Sequence, residues 1–327
     1  MNKNGLSALA AIVLGGAAFG GTSGLIYGGE AAQMGTFTGA QIAAMRGVTA
    51  KDSALFSTDW TSDSNGSTYT VGNVGTSIAG TTPGQGGWYT YSSNGTSTAY
   101  KVISTSTIGR TGQGISIQNA AGAGAYRYMY QDLSAQWAAR NAGDDILWAE
   151  YQQYMTSTAS TSANMGGVSL YNSSYNILAG MAAGYGSGIS GYAQRSVYGL
   201  AYYTDTSTGT SGNYFFRLSG TVLSDGSTAP LAKAGFTNYL TSFNRTTGEV
   251  NWFYSIDGGA TYTGFFVDGA AAGADLMEID LEVSNMGASS NSQATAVYGD
   301  VAVYATPAPG AAALVGLAGL MARRRRA

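Results

Sequence analysis

The chain has 327 residues, of which 44% are hydrophobic, so it can supply a core for one large β domain or two small ones. It contains no His and no Cys, which excludes imidazole-dependent hydrolases, thiol nucleophiles, disulfides and the usual zinc sites. Only 10% of the residues are charged, whereas 49 are Gly and 23 are Tyr. This composition is typical of secreted or surface β-proteins.

The N-terminus predicts a secretory signal peptide over residues 1–23. Lys3 precedes a weakly hydrophobic stretch, residues 5–21, that consists mostly of Ala, Leu, Ile, Val and Gly. Small residues on either side of Phe19 suit a cleavage site, and a later cut near Ser23 also fits. The alternative is a buried helix, which a Gly-rich run forms poorly. We therefore expect export by the Sec route.

Residues 24–84 are interpreted as a lead-in rich in Gly, Ser and Thr that contains the first strands. Residues 40–46 are compatible with a helix, and the first β-compatible stretch is residues 55–60. A linker-like segment, residues 61–84, follows. The sequence therefore places the main β domain at residues 85–305.

Strands recur at short spacing through this domain. Residues 125–131 alternate, which puts three tyrosines on one face of a strand and Arg127, Met129 and Gln131 on the other. A short helix is predicted over residues 133–140. Further strands are predicted at residues 145–151, 166–170, 197–203, 213–218, 250–256, 263–267, 277–283 and 296–305. About ten to twelve strands with little helix predict an all-β, two-sheet sandwich.

Three segments of this domain are similar to the concanavalin A-like lectin/glucanase family, including laminin-G-type domains. They are residues 84–88, the turn and strand at residues 247–259, and the closing strand at residues 298–304. The resemblance implies a jelly-roll β-sandwich over roughly residues 88–304. It also implies a domain that binds or cleaves polysaccharide.

The strongest candidate for chemistry is the alternating trio Glu278, Asp280 and Glu282. On a strand, alternate residues share a face. The pattern resembles the catalytic strand of laminarinase- and lichenase-type glycoside hydrolases. That resemblance implies Glu278 as nucleophile, Glu282 as general acid and Asp280 as the residue that tunes the nucleophile.

A non-catalytic interpretation of the same strand is preferred. In those enzymes several strands follow the motif, whereas here only residues 296–305 remain before the tail. Ile279 and Leu281 give the ordinary pattern of a half-buried strand whose polar face meets water. No catalytic residue is therefore assigned, although calcium or sugar binding by the trio stays open.

Two further groups of residues are candidates for a binding role. Aromatic side chains could stack on sugar rings, although packing between two sheets explains them equally well; they are Trp88, Tyr89, Tyr91, Tyr126, Tyr128 and Tyr130. Acidic turn residues could bind Ca²⁺, although turn formation is the commoner role of such Asp residues; they are Asp144, Asp145, Asp257 and Asp268. No cofactor or metal is predicted.

The C-terminus, residues 306–327, has three parts. A proline-containing motif is followed by an apolar run, residues 311–322, and then by four arginines. About a dozen apolar residues is short for a permanent membrane span and suits a transient inner-membrane anchor with its basic end in the cytoplasm. The motif and basic residues are Pro307, Ala308, Pro309, Arg323, Arg324, Arg325 and Arg326.

This tail resembles the PEP-CTERM sorting signal, the substrate of exosortases in Gram-negative bacteria that make extracellular polysaccharide. Ala308 replaces the usual Glu of the motif. The resemblance implies an exosortase-type processing partner and delivery to the cell surface or extracellular matrix. The alternative is a basic tail that binds anionic lipid.

Without the two terminal segments, ten basic residues face 18 acidic ones, a net charge of −8. This acidity disfavours nucleic-acid binding. The preferred function is a non-catalytic, lectin-like surface or matrix protein that binds polysaccharide. The alternatives are a jelly-roll β-glucanase and a structural protein that self-associates through exposed strand edges.

Overall fold

The computed structural model describes residues 25–47, 54–93, 95–119, 125–156, 164–185, 196–218, 236–285 and 294–307. The predicted signal peptide lies outside these residues, as does the sorting signal beyond Pro307. No helix in the described ranges is long and apolar enough to cross a membrane.

The described residues form eighteen strands and two short α-helices. The helices are α1 (Gly39–Arg46) and α2 (Ser134–Ala138). The strands are β1 (Ile26–Glu30), β2 (Ala32–Thr38), β3 (Ala54–Thr58), β4 (Gly72–Asn73), β5 (Tyr89–Ser92), β6 (Tyr100–Ser104), β7 (Gln113–Gln118), β8 (Tyr126–Asp132), β9 (Ile146–Thr156), β10 (Asn164–Tyr171), β11 (Ile177–Tyr185), β12 (Ser196–Asp205), β13 (Thr210–Leu218), β14 (Thr237–Asn244), β15 (Glu249–Ser255), β16 (Thr261–Asp268), β17 (Glu278–Asn285) and β18 (Thr295–Thr306).

The strands build two sheets. The eight-stranded sheet has the order β1-β13-β12-β11-β10-β17-β8-β5, and the ten-stranded sheet has the order β2-β16-β15-β14-β9-β18-β7-β6-β4, with β3 also paired to β18. Consecutive strands such as β7 and β8, β9 and β10, and β17 and β18 belong to different sheets and contact each other across the interior. This nested order confirms the predicted all-β jelly-roll sandwich.

The core lies between the sheets because alternate residues of each strand point inward. Ile279 and Leu281 of β17 and Val301 and Val303 of β18 are at most 1% exposed and belong to one large cluster. Large indoles fill the same layer. Trp252 of β15 reaches across to the backbone of Gly199 in β12, where a Cβ atom would lie 2.3 Å from the ring. The two sheets are therefore packed closely enough at this point to require glycine.

The predicted lead-in is part of the sandwich, so the expectation that the first strand begins at residue 55 is wrong. β1 pairs in parallel with β13, and β2 pairs antiparallel with β16, so each extends the edge of a sheet. Their residues are mostly exposed or half-buried. Edge strands are held largely by backbone hydrogen bonds on one side, so their sequences need little apolar alternation.

Both predicted helices are confirmed. α1 begins with a capping box in which the Thr38 hydroxyl accepts the Gln41 backbone N–H at 3.2 Å, and it ends at Gly47 with φ of 70°. α2 is shorter than the predicted span of residues 133–140.

Besides β1 and β2, six strands were not predicted: β4, β5, β6, β7, β11 and β14. β11 reads ILAGMAAGY, and this Gly- and Ala-rich sequence lacks the β-branched and aromatic residues that mark most strands. It lies inside the eight-stranded sheet, where small residues permit close packing on both faces. Its strand character therefore depends on its position in the sheet.

Candidate functional site

Three carboxyl groups lie in a line on the outer face of the eight-stranded sheet. They belong to Glu278, Asp280 and Glu282 of β17, an interior strand between β8 and β10. Ile279 and Leu281 point the opposite way into the core. The predicted sharing of one face is confirmed. We call these three residues the carboxyl row.

The carboxyl row does not face open water, so the preferred interpretation of a solvated polar face is wrong. Glu278 is 7% exposed, and Asp280 and Glu282 are 0% exposed. The register places Tyr130 opposite Asp280 and Tyr128 opposite Glu282 on the β8 side. Directly opposite side chains on one face are in contact range. Alternation along β17 could not reveal that large aromatic residues of neighbouring strands flank its polar face.

Burial and mutual repulsion favour the neutral form of all three acids. Burial, with the nearby charge of Asp132, raises the pKa of Glu278 to about 7. Burial also raises the pKa of Asp280 well above its usual range, and Glu278 and Glu282 add to that shift. The pKa of Glu282 is raised well above normal by burial as well. Desolvation penalises the charged form because the low-dielectric surroundings solvate it poorly.

The carboxyl row has few hydrogen-bond partners. The hydroxyl of Tyr171 in β10 donates to Oε1 of Glu282 at 3.4 Å. Three oxygens of the row have no hydrogen-bond partner in the described part of the chain. They are Oδ1 and Oδ2 of Asp280 and Oε2 of Glu282. Buried polar atoms are usually hydrogen-bonded. The row therefore retains hydrogen-bonding capacity that these residues do not use.

Five tyrosines of β5 and β8 lie beside the carboxyl row on the same outer face. Register pairs Tyr89 with Tyr130 and Tyr91 with Tyr128, and their ring centroids are 5.1 Å apart in both pairs. Tyr126 continues the series, with its centroid 5.9 Å from that of Tyr91. All five are half-buried. We call these five residues the tyrosine face.

Trp88 does not belong to this face. It is fully buried between the sheets, where its indole packs edge-on against Phe56 with centroids 5.7 Å apart. Its Nε1–H donates to the Tyr69 hydroxyl at 3.2 Å. The sequence grouped six aromatic residues, and the structure separates one core residue from five surface residues. The adjacency of β5 to β8 decides this separation.

Three of the four acidic turn residues have structural partners; they are Asp144, Asp145 and Asp257. Oδ1 of Asp257 accepts the Ser255 hydroxyl at 2.6 Å and the Thr261 backbone N–H at 3.0 Å, which closes the turn between β15 and β16. Asp145 pairs with Arg140 at 2.9 Å. Among the described residues, no cluster of three or more acidic side chains has the geometry to hold a metal ion.

The end of the face near Glu278 contains three residues that the sequence did not single out. Asp132 is exposed and lies opposite Glu278 in the register, and Tyr171 lies opposite Glu278 on the other side. Tyr175, in the turn between β10 and β11, is 45% exposed and has a positive φ of 56°. Positive φ is uncommon for a bulky residue. No sequence pattern marks these residues because strand pairing brings them together.

The chain is thus an all-β sandwich whose eight-stranded sheet presents an outer face of tyrosines and carboxyl groups. No protein-family model matches the sequence, and no curated protein matches it. Similarity is found with solved structures. The CBM2 module of the Lactobacillus casei BL23 phage J-1 evolved Dit is 10% identical with a TM-score of 0.43, over 73% of this chain and 97% of that chain.

Two other similar structures are an alginate lyase and a lectin-like domain. The alginate lyase from Klebsiella pneumoniae is 10% identical with a TM-score of 0.39, over 63% of this chain and 94% of that chain. The legume lectin-like domain from Entamoeba histolytica is 8% identical with a TM-score of 0.40, over 67% of this chain and 90% of that chain. These values are too low to assign a family or an activity.

Proposed function

We propose that the protein is an exported surface or matrix component whose sandwich binds polysaccharide, without cleaving it, through the tyrosine face. The observation that carries the proposal is the row of five half-buried tyrosine rings on one sheet face beside the carboxyl row. Ligand sites combine apolar and aromatic surface with a few placed polar groups, and this face has both. Aromatic rings with one face exposed to solvent can pack against the apolar faces of sugars.

The export part of the proposal depends on the two chain ends. The predicted signal peptide would direct Sec export, and the PEP-CTERM-like tail would anchor the chain until an exosortase-type enzyme removes it. Thr306 ends β18 and accepts a hydrogen bond from the Trp148 indole at 3.1 Å, and exposed Pro307 follows it. The predicted tail would therefore begin where the last strand of the sandwich ends. Fractionation of an exosortase-positive host should find full-length chains in the membrane and shortened chains outside the cell.

Removal of a tyrosine ring should weaken glycan binding. Tyr89→Ala removes a ring at the edge of the sheet, and we expect about a fivefold loss of affinity, equivalent to about 1 kcal/mol of stacking. Tyr89→Phe keeps the ring and should bind nearly as the native protein does. Binding is measured by affinity electrophoresis and calorimetry against the producer's own polysaccharide and a glycan array.

Tyr262→Ala is the matched control because this ring lies with Met34, Phe37 and Leu240 on the ten-stranded sheet, away from the tyrosine face. It should leave glycan binding unchanged. Equal loss from both alanine variants, or no binding of the native protein to any glycan, would refute the proposal.

A jelly-roll glycoside hydrolase is the second candidate function. The observation that favours it is the pKa of Glu278 near 7, because a carboxyl that titrates near neutrality suits proton transfer. A retaining mechanism also needs one carboxylate that stays ionised as nucleophile, whereas burial favours the neutral form of all three acids. Release of reducing ends from laminarin or lichenan that Glu278→Gln abolishes would establish this alternative.

A further inference from the structure

The carboxyl groups of this face have no cationic partner among the residues that the structure describes. Asp132, Glu278, Asp280 and Glu282 form no ion pair with any described residue, although six ion pairs occur elsewhere in the described chain. Arg127 belongs to the same strand as Asp132, but its side chain lies on the opposite face of β8, where its Nη1 donates to the Gln118 carbonyl at 2.7 Å. Within the described ranges, no cation therefore neutralises the exposed carboxyl group of Asp132, which lies beside the buried acids of the carboxyl row.

Asp280 is the clearest sign of an unmet interaction. It is 0% exposed, and neither of its oxygens has a hydrogen-bond partner in the described residues. A buried carboxyl without donors is costly, since it has lost water and gained no replacement. Asp280 itself is closed to solvent, so a ligand would offset part of that cost through positive charge placed beside the neighbouring Glu278.

The tyrosines add a second preference for a cation. Tyr130 is the cross-strand neighbour of Asp280, and Tyr128 is that of Glu282. The faces of aromatic rings attract cations through their quadrupole. Rings and carboxyl groups on one surface therefore favour a ligand that has both an apolar sugar face and an ammonium group.

The end of the face at Glu278 offers the access. Asp132 is exposed, and its Oδ1 accepts the Ser134 backbone N–H at 2.8 Å, so one oxygen is held and the other is available to a ligand. Glu278 is directly opposite Asp132, and exposed Tyr175 lies at the same end of the sheet. An ammonium group placed here would contact two carboxyl groups.

We propose that the tyrosine face binds polysaccharide that carries free amino groups, with the ammonium group held by Asp132 and Glu278. The inference deepens the proposed function and depends on it. A uronate polymer would place its own carboxylates against this acidic face and be repelled. A neutral glucan would leave the exposed carboxyl group of Asp132 without a charged partner.

The test compares four oligosaccharides of equal length by calorimetry: a glucosamine oligomer, its N-acetylated counterpart, a neutral β-glucan and a uronate oligomer. We expect the glucosamine oligomer to bind at least tenfold more tightly than the N-acetylated one. Raising the salt concentration should reduce this preference, because exposed charge pairs are screened. The uronate oligomer should bind most weakly.

Glu278→Gln and Asp132→Asn should each remove most of the tenfold preference and leave binding of the N-acetylated oligomer intact. Asp132 is exposed, so its substitution keeps the test valid even if the Glu278 variant folds poorly. Glu249→Gln, an exposed acid of β15 in the other sheet, is the matched control and should keep the preference.

The outcomes separate the inference from the function on which it depends. If the protein binds the neutral or N-acetylated oligomer as tightly as the glucosamine oligomer, the amine inference is overturned and the proposal of glycan binding stands. A preference for the amine that survives both Glu278→Gln and Asp132→Asn would overturn the assigned location. Failure to bind any of the four oligosaccharides, or any glycan of the array, would overturn both proposals.

Discussion

Raising the pH from 5 to 8 is expected to lower the free energy of unfolding by roughly 2–3 kcal/mol through Glu278 alone, because the pKa of its buried carboxyl is about 7 in the folded protein against 4.5 ordinarily. The folded state then holds a proton that the unfolded state has released. Stability is therefore greatest below pH 4.5 for this group and is lost as the pH rises through 7. Asp280 and Glu282 shift in the same direction and add to the loss.

Other carboxyl groups limit stability at the acidic end. Hydrogen bonds from Ser255 and Thr261 hold the pKa of Asp257 below its usual range, and the Trp137 indole does the same for Asp275. Groups of this kind stabilise the fold above their ordinary pKa and lose that effect as the pH falls. The two opposite trends predict a maximum of stability near pH 4.

Urea unfolding of the purified domain at pH 4, 5, 6, 7 and 8 measures this profile. Glu278→Gln should flatten it between pH 5 and 8, because the amide cannot ionise. Glu249→Gln removes an exposed acid and is the control. It should leave the dependence of the free energy of unfolding on pH unchanged. Stability that stays constant or rises from pH 5 to 8 would show that the carboxyl row is not buried in its neutral form.

Gly199→Ala is expected to destabilise the sandwich by about 3 kcal/mol, at the upper end of the range for overpacking a core. The new methyl group would lie 2.3 Å from Cδ2 of Trp252, a distance that no real contact tolerates. Trp252 is 0% exposed and fixed between the two sheets. Either the indole or the strands must move, and both lose packing.

Two further variants identify the cause. Trp252→Phe makes the ring smaller. Combined with Gly199→Ala, it should restore part of the lost free energy of unfolding, so the double-mutant coupling energy should exceed about 1 kcal/mol. Gly212→Ala in the neighbouring strand β13 would meet only the end of the Ile26 side chain at 3.0 Å and should cost less than about 1 kcal/mol. Chemical denaturation midpoints are measured for all five proteins: the native protein, the three single variants and the double variant. Equal losses from both glycine variants would argue for backbone entropy instead.

The candidate site shows how far strand periodicity carries a prediction. Alternation correctly placed Glu278, Asp280 and Glu282 on one face and Ile279 and Leu281 on the other. It gave the wrong environment because a strand's own pattern contains nothing about its neighbours. β8 and β5 contribute the flanking tyrosines through pairings whose partners are distant in sequence.

The sequence alone determined the all-β class, both helices and the two alternating faces of β8 and β17. It also predicted the two terminal export signals, which remain predictions. Local alternation, turn residues and composition suffice for these features because each is encoded within a short segment.

Only the tertiary structure decided which strands are neighbours, and therefore which side chains share a surface. It brought Asp132 opposite Glu278, separated Trp88 from the tyrosine face and recruited β1 and β2 to the sheet edges. The physical reason is that strand pairing follows from long-range hydrogen bonding and from packing of whole sheets. Burial, and with it the protonation of the carboxyl row, depends on that assembly.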